Sequence, residues 1–177
     1  IKEMPVKDIE AEAKAIAHQN QLTKPPGALG ILEELAVFLS SWQRTTKPSL
    51  KTVQALVFAG NHGICAQGVN PFPQGVTKQM VENFKAGGAA INQLCEVSGA
   101  DLNIVPLSLD DPTADFTEEE AMSELDLCEA IEIGARSVNL NSDLILLGEM
   151  GIGNSTISSA LAASVFGGSC LLYTSPS

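Results

Sequence analysis

Residues 142–156 read Ser-Asp-Leu-Ile-Leu-Leu-Gly-Glu-Met-Gly-Ile-Gly-Asn-Ser-Thr, and this stretch decides the fold. Its four consecutive apolar residues, 144–147, predict a short strand buried on both faces, as in a parallel sheet. Three glycines then predict a tight turn: Gly148, Gly151 and Gly153. Two polar residues suit the N-cap of a helix over residues 156–165: Asn154 and Ser155. The stretch therefore predicts a strand, a glycine-rich turn and a helix in succession.

A glycine-rich turn between a strand and a helix is suited to bind an anion. Glycine lets the backbone approach a phosphate, and the first N–H groups of the helix point at it. Glycines needed only for a tight connection would explain the same pattern, so both interpretations stay open. The stretch is neither a P-loop, because Asn154 replaces the phosphate-binding lysine, nor Gly-x-Gly-x-x-Gly. Glu149 would repel a phosphate and fits a ribose hydroxyl or a cationic ring instead.

The composition is that of a globular protein with an acidic surface. The 177 residues suffice for one domain with a core, and 45% of them are hydrophobic. The net charge of −11 argues against nucleic acid or an anionic membrane as a partner. No apolar run reaches membrane-spanning length and no signal peptide is evident, so we expect a cytoplasmic protein. Because the first residue is Ile, we expect the native N-terminus to lie upstream.

Metal and redox chemistry have little support in the sequence. The four cysteines are scattered without a Cys-x-x-Cys pair, and only two histidines accompany them, so no zinc site is predicted. Residues 108–120 form an acidic loop with six carboxylates. Such a cluster can bind a divalent cation, but more commonly a run of this kind is simply an exposed, solvated loop.

The predicted elements alternate between helices and strands. Helices are predicted over residues 8–20, 31–43, 76–86, 89–97, 124–139 and 156–165, and strands over 53–59, 101–107 and 144–147. This order predicts right-handed crossovers and a three-layer, mostly parallel α/β sheet preceded by two helices. We expect a helical segment over 1–50, a partial α/β domain over 51–168, and a non-native tail over 169–177.

Two residues outside the glycine turn are candidates for ligand binding. His62 directly follows the first predicted strand, where open parallel sheets bind their ligands. It suits acid/base chemistry or ligand binding, although a hydrogen bond to a neighbouring loop is the commoner role of a lone histidine. Phe72, between two prolines, suits the wall of a pocket for a flat apolar ligand, or an anchor of its loop in the core.

Several blocks of the sequence resemble one enzyme family in order and spacing. They are Thr23-Lys-Pro-Pro-Gly-Ala-Leu-Gly with Leu32-Glu-Glu-Leu-Ala, Phe58-Ala-Gly-Asn-His-Gly, Gln67-Gly-Val with Pro73 and Val76-Thr77, and Gly148-Glu-Met-Gly-Ile-Gly-Asn. They resemble the nicotinate-nucleotide–dimethylbenzimidazole phosphoribosyltransferases, over residues 22–168. The resemblance implies transfer of phosphoribose from nicotinate mononucleotide to 5,6-dimethylbenzimidazole. It also implies a homodimer with a doubly wound, Rossmann-like sheet and no metal or redox cofactor.

The resemblance also implies roles for individual residues. Glu149, Met150 and Gly151 fall where the family contacts its substrates, and Phe72 and Met80 fall where it lines the base pocket. Three further residues are possible contacts: His62, Gly153 and Asn154. The family's general base is a glutamate in its C-terminal part, and this chain covers only the N-terminal half of a member. The resemblance therefore implies no catalytic residue here, and we expect the 177 residues to be inactive alone. A non-catalytic phosphate- or nucleotide-binding module is the alternative function.

Overall fold

The structure is a computed structural model that describes residues 4–167, so the predicted tail lies outside the described residues. The chain divides between Lys51 and Thr52 into two compact units. The first unit contains α1 (Ile9–Gln19) and α2 (Ile31–Trp42). The second contains, in chain order, β1 (Val53–Ala59), a 3-10 helix (Gly63–Gln67), α3 (Gly75–Lys85), α4 (Ala90–Ser98), β2 (Asp101–Pro106), α5 (Glu124–Ser137), β3 (Leu144–Met150) and α6 (Asn154–Phe166). No helix among the described residues is long and apolar enough to cross a membrane.

The first unit is a pair of helices whose buried residues are small. Asp8 caps α1 as expected, since its carboxylate accepts a hydrogen bond from the Ala11 amide at 2.9 Å. Ala11 and Ala15 are the buried residues of α1, whereas Ile9 and Ile16 are 73% and 47% exposed. The two isoleucines of α1 therefore lie outside its buried face. Small side chains allow two helices to approach closely, and α1 contacts α2.

The first block of the family resemblance forms the turn that leads into α2. Gly27 and Gly30 have positive φ angles of 73° and 56°, which only glycine adopts readily. Lys24 donates a hydrogen bond to Glu33 at 2.7 Å, and the Leu29 amide donates to the same carboxylate oxygen at 3.1 Å. These two contacts, the lysine's first, lower the pKa of Glu33. The block thus has a structural role within its own unit.

The second unit is built on a parallel sheet with the strand order β2-β1-β3. β1 is central and mostly buried, because it pairs with a strand on each side. The chain moves to one side of β1 for β2 and to the other side for β3. Connections between parallel strands are nearly always right-handed, so we expect α3 and α4 on one face of the sheet and α5 on the other. The α/β class predicted from the sequence is confirmed.

The third strand departs from its prediction in burial and length. β3 pairs only with β1 among the described residues, so it forms an edge of the sheet. Leu146 and Leu147 are 44% and 76% exposed, so the expected burial on both faces is wrong. The strand also continues through Gly148 and Glu149 to Met150. The apolar side chains of Leu146 and Leu147 predict burial, but whether a residue is buried depends on which other segments cover its strand.

Candidate functional site

The candidate site lies at the carboxyl ends of β1 and β3. These strands are neighbours, and their final residues, Ala59 and Met150, pair directly. The Gly60 amide then donates to the Met150 carbonyl at 3.1 Å, which holds the two following segments together. The chain connects β2 on one side of β1 and β3 on the other, so the strand order changes direction at β1. Open α/β sheets bind ligands beside such a switch point.

The turn after β3 needs two of its glycines because other atoms are close. A Cβ on Gly151 would overlap the Gly60 carbonyl oxygen and the Asn154 side chain. Gly153 has a φ of 93°, and a Cβ there would lie 2.9 Å from the Cys65 sulfur. Gly148, by contrast, belongs to β3, which continues to Met150, so the predicted turn is three residues too long at its start.

Asn154 does not cap α6 as expected. It is the first helical residue, the N-cap position is Gly153, and no side chain caps this helix. The Asn154 side chain instead forms two hydrogen bonds across the site. Its Oδ1 lies 2.5 Å from Nε2 of His62, and its Nδ2 donates to Oε2 of Glu149. The predicted residues His62, Asn154 and Glu149 are therefore brought together as one connected group.

His62 occupies its expected place after β1 and is half-buried. Its carbonyl accepts a hydrogen bond from Gln74 Nε2 at 2.5 Å, and its backbone bridges Thr113 of the acidic loop. Its ring bonds Asn154, on the segment that follows β3. The ring of His62 is thus hydrogen-bonded to the first residue of α6, and its role in acid/base chemistry or ligand binding stays a prediction.

Sequence reasoning missed Thr77 and Gln74, both at the start of α3. Thr77 is fully buried, and its Oγ1 accepts from the Ile152 amide at 3.1 Å, which anchors the glycine turn. The buried stripe of α3 is Thr77, Val81 and Phe84. This i, i+4, i+7 spacing was the available signal, because a threonine in an otherwise apolar stripe must find a hydrogen-bond partner.

The acidic loop packs against the segment after β1. A Cβ on Gly63 would lie 2.5 Å from backbone atoms of Thr113, Ala114 and Asp115. Asp115 accepts hydrogen bonds from Gln67 Nε2 at 2.8 Å and from the Thr117 amide at 2.9 Å. These contacts, Gln67 first, lower the pKa of Asp115. Among residues 4–167, no three His, Cys, Asp or Glu side chains are grouped so as to hold a metal ion.

The residues expected to line a base pocket differ in their exposure to solvent. Phe72 lies in the loop before α3 and is 59% exposed, whereas Met80 on α3 and Met150 at the end of β3 are half-buried. An open depression of about 430 Å³ lies beside this loop. It is lined by Gly63, Cys65, Ala66, Asn70, Pro73, Gln74 and Pro112. Oδ1 of Asn70, one of these lining residues, is buried and has no hydrogen-bond partner among the described residues.

Comparison with known proteins identifies the family. A family model described as phosphoribosyltransferase matches residues 4–175. The chain belongs to this family. It is 54% identical over 173 residues to the nicotinate-nucleotide–dimethylbenzimidazole phosphoribosyltransferase of Rhodobacter capsulatus, covering 98% of this chain and 52% of that protein. It is 51% identical over 168 residues to the enzyme of the same name from Roseobacter denitrificans, covering 95% and 50%.

A solved structure agrees with the family assignment. The enzyme of the same name from Thermus thermophilus superposes with a TM-score of 0.80 at 36% identity. The match covers 90% of this chain and 54% of that one. The chain thus spans about half the length of the relatives it matches. The resemblance drawn from the sequence blocks is confirmed at the level of the family.

Proposed function

We propose that this chain forms part of a phosphoribosyltransferase that moves phosphoribose from nicotinate mononucleotide to 5,6-dimethylbenzimidazole. In this reaction a benzimidazole nitrogen attacks the anomeric carbon and the bond to nicotinate breaks. The products are α-ribazole 5′-phosphate and nicotinate, and the benzimidazole loses its N–H proton. No electrons are exchanged, so the proposed reaction needs no redox cofactor. The observation that carries it is the convergence of Glu149, Asn154 and the glycine turn beside β1, in a chain 54% identical to such an enzyme.

Individual roles follow from the chemistry of the groups. The backbone of Gly151 and Gly153 and the start of α6 bind the phosphate, since helix N-termini attract anions. Glu149 accepts a hydrogen bond from a ribose hydroxyl. Aromatic and thioether surfaces suit the face of a planar ring, so three side chains contact the benzimidazole: Phe72, Met80 and Met150. His62 and Asn154 complete the site. None of these residues takes the benzimidazole proton, which goes to a general base outside the chain described above.

We propose further that the whole protein is a cytoplasmic homodimer, as the family resemblance implies. Sedimentation of a whole family member tests the dimer. A monomer at micromolar concentration would overturn that part of the proposal. The chemistry at the site would be unaffected by that result.

Calorimetric titration of the purified chain tests the proposed substrate. We expect nicotinate mononucleotide to bind, and Glu149→Gln to weaken it because the amide is a poorer acceptor than a carboxylate. Adenosine monophosphate is the matched control, since it offers the same phosphate and ribose with a different base. Equal affinity for the two nucleotides would favour a general nucleotide-binding module, the alternative that the names of the relatives do not favour.

An activity assay tests whether this chain binds its substrates without catalysing the transfer. The purified chain is incubated with nicotinate mononucleotide and 5,6-dimethylbenzimidazole, and α-ribazole 5′-phosphate is followed by chromatography. We expect essentially no turnover, because removal of a general base commonly costs ~10²–10⁴ in rate. Turnover near that of a whole family member would contradict this expectation. It would then indicate Glu149 or His62 as the base.

A further inference from the structure

Glu149, Asn154 and His62 form a hydrogen-bonded group, which we call the relay. A carboxylate only accepts hydrogen bonds, so Asn154 must present its NH₂ group to Oε2 of Glu149. Its carbonyl Oδ1 then faces Nε2 of His62, 2.5 Å away. Since that oxygen only accepts, the His62 Nε2 must carry the proton. The charge on Glu149 therefore fixes the direction of both hydrogen bonds.

We infer that His62 is a positioning residue that orients Glu149 through Asn154, and that it is held in the Nε2–H tautomer. An Nε2 that carries a proton and donates it to a neutral amide is not an available base. Asn154 has only two side-chain groups to offer, and both are used within the relay. Glu149 has one oxygen engaged by Asn154, which leaves Oε1 to accept from a substrate hydroxyl. The last step rests on the function proposed above, whereas the tautomer does not.

The surroundings of His62 support a fixed position. Its carbonyl accepts from Gln74 at the start of α3, and its backbone bridges Thr113. A Cβ added to Gly153 would lie 3.9 Å from the Cβ of His62, so the glycine turn approaches the histidine closely. Three separate segments therefore meet at this one residue. Acid/base chemistry by Nε2 would instead need that nitrogen to be directed at a substrate.

The tautomer is measured directly by ¹⁵N NMR of the histidine rings of the 177-residue chain at about pH 8, where a histidine of ordinary pKa is neutral. The chain has only two histidines, and the exposed His18 on α1 serves as the internal control. We expect His62 to show one protonated nitrogen, Nε2, while His18 shows a mixture. Asn154→Ala should return His62 to a mixture. A protonated Nδ1 in the unaltered chain, or an unchanged tautomer in Asn154→Ala, would overturn the inference.

Binding measurements test the link to the substrate. His62→Gln retains an N–H donor for Asn154, whereas His62→Ala does not. We expect His62→Ala to weaken nicotinate mononucleotide binding about tenfold, the effect of one hydrogen bond, and His62→Gln to restore most of it. Equal losses in both variants would mean that the imidazole itself contacts the ligand, against the inference. Absence of binding by the unaltered chain would refute the proposed function and leave the tautomer test to decide the relay.

Discussion

The Thr77 hydroxyl accepts a hydrogen bond from the Ile152 amide at 3.1 Å, and this bond joins α3 to the middle of the glycine turn. Thr77 is fully buried, so no solvent can replace it as the partner. We expect Thr77→Val, which keeps the shape but removes the acceptor, to lower the stability by about 1–3 kcal/mol. The measurement is thermal unfolding, in which a loss of this size lowers the melting temperature by several degrees.

Thr77→Ser is the matched control, because it keeps the hydroxyl and loses only a methyl group. It should retain more stability than Thr77→Val despite the smaller side chain. If valine proved the better replacement, packing and not the hydrogen bond would explain the burial of Thr77.

Gly151 is expected to tolerate no side chain. Its φ is not positive, so the restriction comes from space: a Cβ would overlap the Gly60 carbonyl oxygen and the Asn154 side chain. We expect Gly151→Ala to displace Asn154 and to weaken nicotinate mononucleotide binding about tenfold or more, the value of one hydrogen bond or above. Titration calorimetry gives the affinity and circular dichroism the retained fold.

Gly148→Ala is the control for Gly151→Ala. A Cβ on Gly148 would lie 3.3 Å from a methyl group of Val57, which a small shift of that side chain relieves. The affinity should therefore change little. If Gly151→Ala changed the affinity as little as Gly148→Ala does, the turn would be only a connector.

The acidic loop gives a prediction about pH. The pKa of Asp115 is lowered by the Gln67 amide and then by the Thr117 amide. A carboxyl whose pKa falls on folding adds stability above its unfolded pKa of about 3.9, and this is lost as the pH falls through the folded value. In ¹³C NMR titrations, we expect Gln67→Leu to raise the pKa of Asp115 toward the ordinary range. An Asp115 that titrates at its ordinary pKa in the unaltered chain would contradict the contact.

The edge strand β3 predicts self-association. Leu147 is 76% exposed on a strand whose outer side has no partner among the described residues. Such an edge can pair with another copy, and a lysine there opposes this pairing. We expect Leu147→Lys to increase the soluble fraction and to reduce light scattering. Leu94→Lys, on α4 and at a position 66% exposed, is the control for apolarity away from the edge. An equal gain in soluble fraction for both variants would mean that exposed apolar surface in general, and not the strand edge, causes the association.

Local features of this fold follow from the sequence alone, whereas burial does not. The strands and helices follow local periodicity, and the Ser123 cap of α5 is also a local feature, because capping involves residues three apart. Burial depends instead on distant segments that cover a residue. Leu147 on an edge strand and Ile9 on α1 are both exposed for this reason.

The candidate site shows the same division. His62 and Glu149 were predicted separately, each from its position after a predicted strand. Their connection through Asn154 was not, because it joins residues 92 positions apart in the sequence. Asn154 carries a strong local signal for capping, and two tertiary hydrogen bonds outweigh it.

The placement of β3 has a consequence for motion. Pairing β1 with β2 brings together residues such as Gln54 and Asn103, which are 49 positions apart, whereas pairing β1 with β3 joins Thr52 and Asp143 across 91. β2 and β3 are both edges of the described sheet, but β3 closes the longer loop, and a local fluctuation can release it without unfolding β1 and β2. Because Glu149 and Asn154 are carried on or directly after that strand, one such opening dismantles the whole candidate site. A ligand that bridges β1 and β3 would therefore slow amide hydrogen exchange along β3 far more than along β2.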